Sequence, residues 1–188
     1  MRRLLAFTMT MAFFIGSFAG VALAQTERAT SSVNLAGEQR MLSQRIPKLY
    51  SQIGLNVLPS LAASQLRLAT SRFEGNLAAL KPVVAGSAEA TRAYERLGSE
   101  WLGMKKAVSV AISRDAAEAL SRQAESTLLA AEQLTYVIEE QGKSPTNRAV
   151  NLAGRQRMLS QRIAANYLLR SWGCRDSCNT RESGVFDA

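Results

Sequence analysis

A fourteen-residue segment occurs twice in this chain, almost unchanged. Val33 to Ile46 reads VNLAGEQRMLSQRI and Val150 to Ile163 reads VNLAGRQRMLSQRI, with thirteen positions identical at a constant offset of 117 residues. A bundle core asks only for apolar residues at helical spacing. Here Asn, Gly, Gln, Ser and both Arg are repeated as well. A repeated polar code implies that two copies of one helical face do the same job, and the fold must present both.

The chain between the two boxes has helical periodicity. Ala90, Tyr94, Leu97, Trp101, Met104, Val108 and Ala111 recur at alternating spacings of four and three. Ala117, Leu120, Ala124, Thr127, Ala131, Leu134 and Ile138 follow the same logic, and Leu66, Ala69, Phe73, Leu77 and Leu80 make a shorter version. These are apolar seams of packed helices. No segment alternates with period two for long enough to suggest a sheet. Pro59 opens one helix and Pro82 closes it. Ser87 and Ser113 are placed to cap the next two, and Ser144-Pro145 is a capping hydroxyl followed by Pro at the first helical position. Five helices follow, over about 27–57, 60–81, 88–112, 114–141 and 145–171. The fold class is all-α, an antiparallel up-down bundle of four to five long helices. Short connections make neighbours antiparallel, so the first and fifth helices point the same way. The two boxes then sit side by side in parallel.

Within each box, Asn34, Gly37, Arg40, Met41 and Gln44 share one stripe, as do Asn151, Gly154, Arg157, Met158 and Gln161. Gly inside a helix costs roughly 0.5–1 kcal/mol against Ala. Its repetition suggests a backbone that something approaches closely, either a partner helix or a small ligand. Arg three residues later brings a planar fork of donors to the same spot, suited to a small trigonal oxyanion held bidentately. The competing role for Arg40 and Arg157 is an ion pair with a helix carboxylate. Met41 and Met158 also read as core filler. Leu35, Leu42, Ile46, Leu152, Leu159 and Ile163 read as core, Arg45 and Arg162 as surface or ion-paired. The one difference, Glu38 against Arg155, reads as solvent-facing.

The termini set the compartment. Arg2 and Arg3, an apolar run from Leu4 to Phe18 and Ala22-Leu23-Ala24 form a secretory signal over residues 1–24, cleaved before Gln25. An uncleaved leader would instead anchor the chain in the inner membrane. The mature chain, 25–172 plus a tail over 173–188, suits one domain, and its net charge falls from +8 to +6 without the leader's two Arg. That excess suits anions, but it is too dispersed and too poor in interleaved aromatics for nucleic acid. The chain has no His, which removes the commonest general base and metal ligand. With no nucleophile motif either, the chain reads as a non-enzyme without cofactor or metal. Cys174 and Cys178 are candidates for a short-loop disulfide in an oxidising compartment.

The pattern AGxQRMLSQRI resembles the conserved helix of the PilJ-type domain, the N-terminal periplasmic region of type IV pili methyl-accepting chemotaxis transducers. It is also similar to the P-box of NarX/NarQ-type nitrate/nitrite sensor kinases. The likeness is strong over each box and general elsewhere. It implies an all-helical bundle. In the kinases nitrate sits between box helices of two subunits, held by the Arg after the Gly, which implies Gly37 with Arg40 and Gly154 with Arg157 here. Those kinases carry Tyr where this chain has Gln44 and Gln161, so the box is nearer the transducer type.

The expected function is a periplasmic ligand-binding module that takes a small oxyanion, nitrate or nitrite first, between two box helices. It would report to a membrane sensor, transducer or transporter, and a homodimer is compatible with this reading. The alternative is a docking or assembly protein of the envelope or pilus system with no small ligand.

Overall fold

In this computed structural model, residues 31–142 and 144–174 are described. The leader and Cys178 lie outside them. Helix α1 covers residues 31–54, followed by α2 (Pro59–Val84), α3 (Ala88–Val108), α4 (Arg114–Gly142) and α5 (Pro145–Ser171). No strand occurs among the described residues.

The capping chemistry is as the sequence implies. Ser87 Oγ accepts from the Ala90 N–H, Ser113 Oγ from Ala116 and Ser144 Oγ from Thr146, satisfying otherwise orphaned donors. Two boundaries differ from expectation. Helix α2 passes through Pro82 to Val84. The missing N–H falls in the last turn, where one lost bond is tolerated, and the Val84 carbonyl accepts from Ser87 and Thr91. Helix α3 stops at Val108 rather than 112, because the carbonyls of Val110 and Ala111 turn to accept from the Tyr50 hydroxyl.

The expected α4 seam is buried throughout. Ala90, Leu97, Trp101 and Met104 bury the α3 seam, while Ala111 is exposed beyond the helix end. Phe73 on α2 stacks on Trp101 on α3, with centroids 4.0 Å apart. Gln39 of α1 donates to the Phe73 carbonyl and Gln44 to the Ala124 carbonyl, tying α1 to α2 and α4. Helices α1 to α4 thus share one core, which α5 joins at its C-terminal end through Leu169, Trp172 and Cys174 while lying against α1 and α4. Only Asn147, Gly154, Met158, Ala165 and Leu169 of α5 are buried.

That placement corrects two expectations. Leu42 and Ile46 are core and Leu35 and Leu159 are partly buried, but Leu152 and Ile163 of the second box are exposed, because no other described element packs on the outer face of α5. Glu38 is buried rather than solvent-facing. Its carboxylate takes two bonds from Arg72 and one from Asn76, both on α2.

Helix α5 ends in a Schellman motif. Gly173 adopts φ 82°, its N–H bonds the Arg170 carbonyl, and the Cys174 N–H bonds Leu169. Gly173 and Cys174, assigned to the tail from sequence, therefore close the helix, and Cys174 is buried. The motif presents Trp172 to α1 at Gly54, where a Cβ would stand 1.9 Å from the indole ring.

Two substitutions test this architecture. Gly54→Ala must expel Trp172 and should lower stability by about 1–2 kcal/mol in urea titrations, overpacking outweighing the helix propensity of Ala. Leu58 caps α2 in the left-handed region (φ 48°) while largely exposed. Leu58→Asn should raise stability by up to about 1 kcal/mol in the same assay, since Asn tolerates that conformation at lower cost.

Candidate functional site

The geometry of the site follows from helix direction. Along α4, Glu139, Glu132 and Glu125 meet Asn151, Arg155 and Arg162 of α5 in descending against ascending order. Gln44 and Tyr50 of α1 likewise meet Ala124 and the segment before α4. Both box helices therefore run opposite to α4, and parallel to each other. Their register matches the sequence offset. A Cβ on Gly154 would stand 4.0 Å from the Gly37 Cα, so equivalent glycines face each other at the closest approach.

The two Arg converge there. Arg40 Nη2 donates to Asn151 Oδ1 at 2.6 Å and to the Asn151 carbonyl at 3.2 Å. Arg157 Nη2 donates to Asn34 Oδ1 at 2.9 Å. Each box's Arg thus bonds the other box's Asn, as an approximate twofold axis requires. A Cβ on either Gly would stand 3.1 Å from Arg40 Nη2, and one on Gly154 would be 3.8 Å from Arg157 Nη2. The missing side chains make room for the guanidinium groups as well as for the helices.

The halves differ in exposure. Arg40 is buried and Arg157 is exposed. Desolvation, aided by the charges of Arg155 and Arg157, lowers the Arg40 pKa from its ordinary value to about 10, against the attraction of Glu132 and Glu139. Arg40 stays charged at neutral pH at a cost on the order of 3 kcal/mol. Its Nε is buried with no hydrogen-bond partner. Among the described residues neither Arg40 nor Arg157 forms an ion pair, so the two cations face each other through neutral Asn acceptors.

Six expected site residues come together: Asn34, Gly37, Arg40, Asn151, Gly154 and Arg157. Gln44 is directed at α4. Met41 packs on the core, Met158 is buried in the α5 seam, and Gln161 keeps a buried, unpartnered Oε1. Arg162 is ion-paired with Glu125 at 2.8 Å, while Arg45 bonds Gln65. Sequence reasoning missed the acidic row of α4. Glu139 accepts from Asn151 Nδ2, so Arg40, Asn151 and Glu139 link three helices. The signal was present as Glu125, Glu132 and Glu139 at heptad spacing, with Arg148, Arg155 and Arg162 at the same spacing on the next helix.

A model of the family described as PilJ, type IV pili methyl-accepting chemotaxis transducer N-term, matches residues 21–127. The chain belongs to the PilJ family. The match contains the first box and stops before the second. No curated protein and no solved structure matches the chain. PilJ domains are sensory modules of chemotaxis transducers. No helix among the described residues is long and apolar enough to cross a membrane.

The shared contact at Arg40 Nη2 predicts non-additivity. Gly37→Ala and Gly154→Ala alone leave the guanidinium one side on which to yield. The double variant closes both sides, and should lose at least about 1 kcal/mol more than the sum of the singles in denaturant titrations.

Proposed function

We propose that this PilJ-family chain is a periplasmic sensory module that binds a small oxyanion, nitrate or nitrite first, between α1 and α5 and reports it to a membrane sensor, transducer or transporter. One observation carries the reading: two guanidinium groups, one buried with an unpartnered Nε, converge on facing glycines without a carboxylate bound to either. A trigonal anion there offers bidentate acceptors to both and offsets their mutual repulsion. The Asn34 and Asn151 oxygens occupy the donors that such an anion needs. Ligand entry therefore displaces Asn151 from Arg40 and alters the bond from Asn151 to Glu139 on α4. Binding is in this way coupled to helix packing, and a ligand that favours one packing shifts the population toward it.

The same Arg–Asn bonds also support a second reading, in which they are a structural clasp and the box is a helix-docking surface for envelope or pilus assembly. Thermal unfolding with nitrate, nitrite, chloride and sulfate at equal ionic strength separates the two. An anion bound only by the folded state at a hundred times its dissociation constant adds about 2.7 kcal/mol, a rise of roughly 5–10 °C. That rise should be selective for nitrate or nitrite and absent in Arg157→Ala, where the side chain removed is exposed, and in Arg40→Gln. No selective rise with any anion would leave the clasp.

A further inference from the structure

The seam between the two boxes carries a definite charge. Arg40 and Arg157 meet across it, and Arg155 stands two residues before Arg157 on the same helix. Against these three cations α4 sets two carboxylates. Glu139 accepts from Asn151 Nδ2, and Glu132 lies 3.8 Å from Arg155. Glu132, Glu139, Arg155 and Arg157 are the charges that bear on Arg40. The next carboxylate of the α4 row, Glu125, is matched by Arg162 at 2.8 Å, and Glu38 of α1 is matched by Arg72 at 2.7 Å. The balance left at the seam is one positive charge.

The chemistry of Asn151 holds Glu139 close. A carboxylate only accepts and a guanidinium only donates, so the Asn151 amide must turn Nδ2 to Glu139 and Oδ1 to Arg40. An anion that takes the place of Oδ1 therefore arrives one amide away from a carboxylate. The cleft between α4 and α5 opens at the same place, since Asn151 and Arg155 line it together with Glu139 and Glu140. The Glu132 side chain is only 19 % exposed, so its charge is poorly screened by solvent ions.

We propose that Glu132 and Glu139 are specificity-determining residues that fix the charge of the ligand at one, so that the seam accepts a monovalent oxyanion and rejects a divalent one. The proposal rests on the anion reading of the guanidinium pair and assigns a role to residues outside both boxes. The guanidinium forks alone would favour a dianion, since each attracts it twice as strongly as a monoanion. With the two carboxylates in place, a monoanion brings the seam to neutrality. A dianion leaves an excess negative charge beside both. Repulsion of this kind discriminates between ligands that the same donors could hold.

Isothermal titration calorimetry of the full chain with nitrate, nitrite and sulfate at constant ionic strength is the test. Sulfate should bind the native chain at least about tenfold more weakly than the better of the two monoanions. Glu139→Gln and Glu132→Gln keep an acceptor in place and remove only the charge. Each should strengthen monoanion binding about threefold and sulfate binding about tenfold, because a removed charge acts on a dianion twice as strongly in free energy. Glu139→Asp, which keeps the charge, should stay near the native ratio, and Glu74→Gln, on the exposed pair with Lys105, should change neither affinity. Arg155→Gln, on a half-exposed side chain, should act in the opposite sense, weakening sulfate more than the monoanion, and provides an independent reading if a Gln variant fails to fold. Monoanion binding by the native chain with equal gains for both anions, or none, in the Gln variants overturns the proposal and leaves the anion site standing. So does sulfate bound as tightly as nitrate and nitrite by the native chain. No binding of any of the three by the native chain ends both the site and its selectivity.

Discussion

The approach of Gly37 to Gly154 is the constraint on which the rest depends. At the distance of a Cβ contact, two parallel helices leave no room for ordinary side chains, and the space between them is taken by Arg40 reaching back along its own helix. A guanidinium in that position is stripped of water, and its lowered basicity reflects the loss. The bonds to Asn151 recover part of the hydration energy without neutralising the charge. A buried cation with no direct ion pair, only the more distant carboxylates of Glu132 and Glu139, is therefore built into the seam at which α5 joins the four-helix core. Burial of a charge without a directly bonded counter-charge is costly enough that it is seldom retained for packing alone, which is why the seam is the candidate site.

Two copies of one sequence meet different surroundings in this fold. The first box is held on three sides, by α2 through Glu38 and Gln39, by α4 through Gln44 and by α5 through Arg40. The second box faces α1 and α4, and among the described residues no further helix packs on it. Amino-acid identity therefore fixes the side that both copies share, the Gly–Arg–Asn seam, while the other sides are set by which neighbours the topology supplies. The near-twofold relation is confined to that seam, where even the Ser43 and Ser160 hydroxyls repeat the same bond to the carbonyl of the preceding Arg.

The helical architecture was legible because the period of the apolar residues in α2, α3 and α4 is regular and the caps are carried by local chemistry at Ser87, Ser113 and Ser144. The parallel pairing of α1 and α5 was legible from the parity of short connections. The exposure of Leu152 and Ile163 was not, since periodicity identifies an apolar stripe but not whether a neighbour exists to cover it. Glu38 was misread for a related reason: an unmatched position in a repeat looks unconstrained, whereas here it is bound to Arg72, a residue outside both copies. The end of α3 was set by Tyr50, some sixty residues away in sequence, a tertiary contact that no local pattern records. The pairing of each Arg with the opposite Asn needed the register of two helices at atomic scale, which the common offset suggested but did not determine.

The notch at Gly54 gives α5 a second fixed point. Trp172 sits there at nearly the same offset that relates Gly154 to Gly37, about seventeen residues or some 26 Å farther along the axis. A rod pinned at two such points has little freedom to slide or to roll. What remains is a small tilt with the glycine contact as fulcrum, for which a rotation of about 2° moves the indole end by about 1 Å. Sub-ångström rearrangement around the guanidinium pair would thus emerge enlarged at the far end of the bundle, beside the α1–α2 turn.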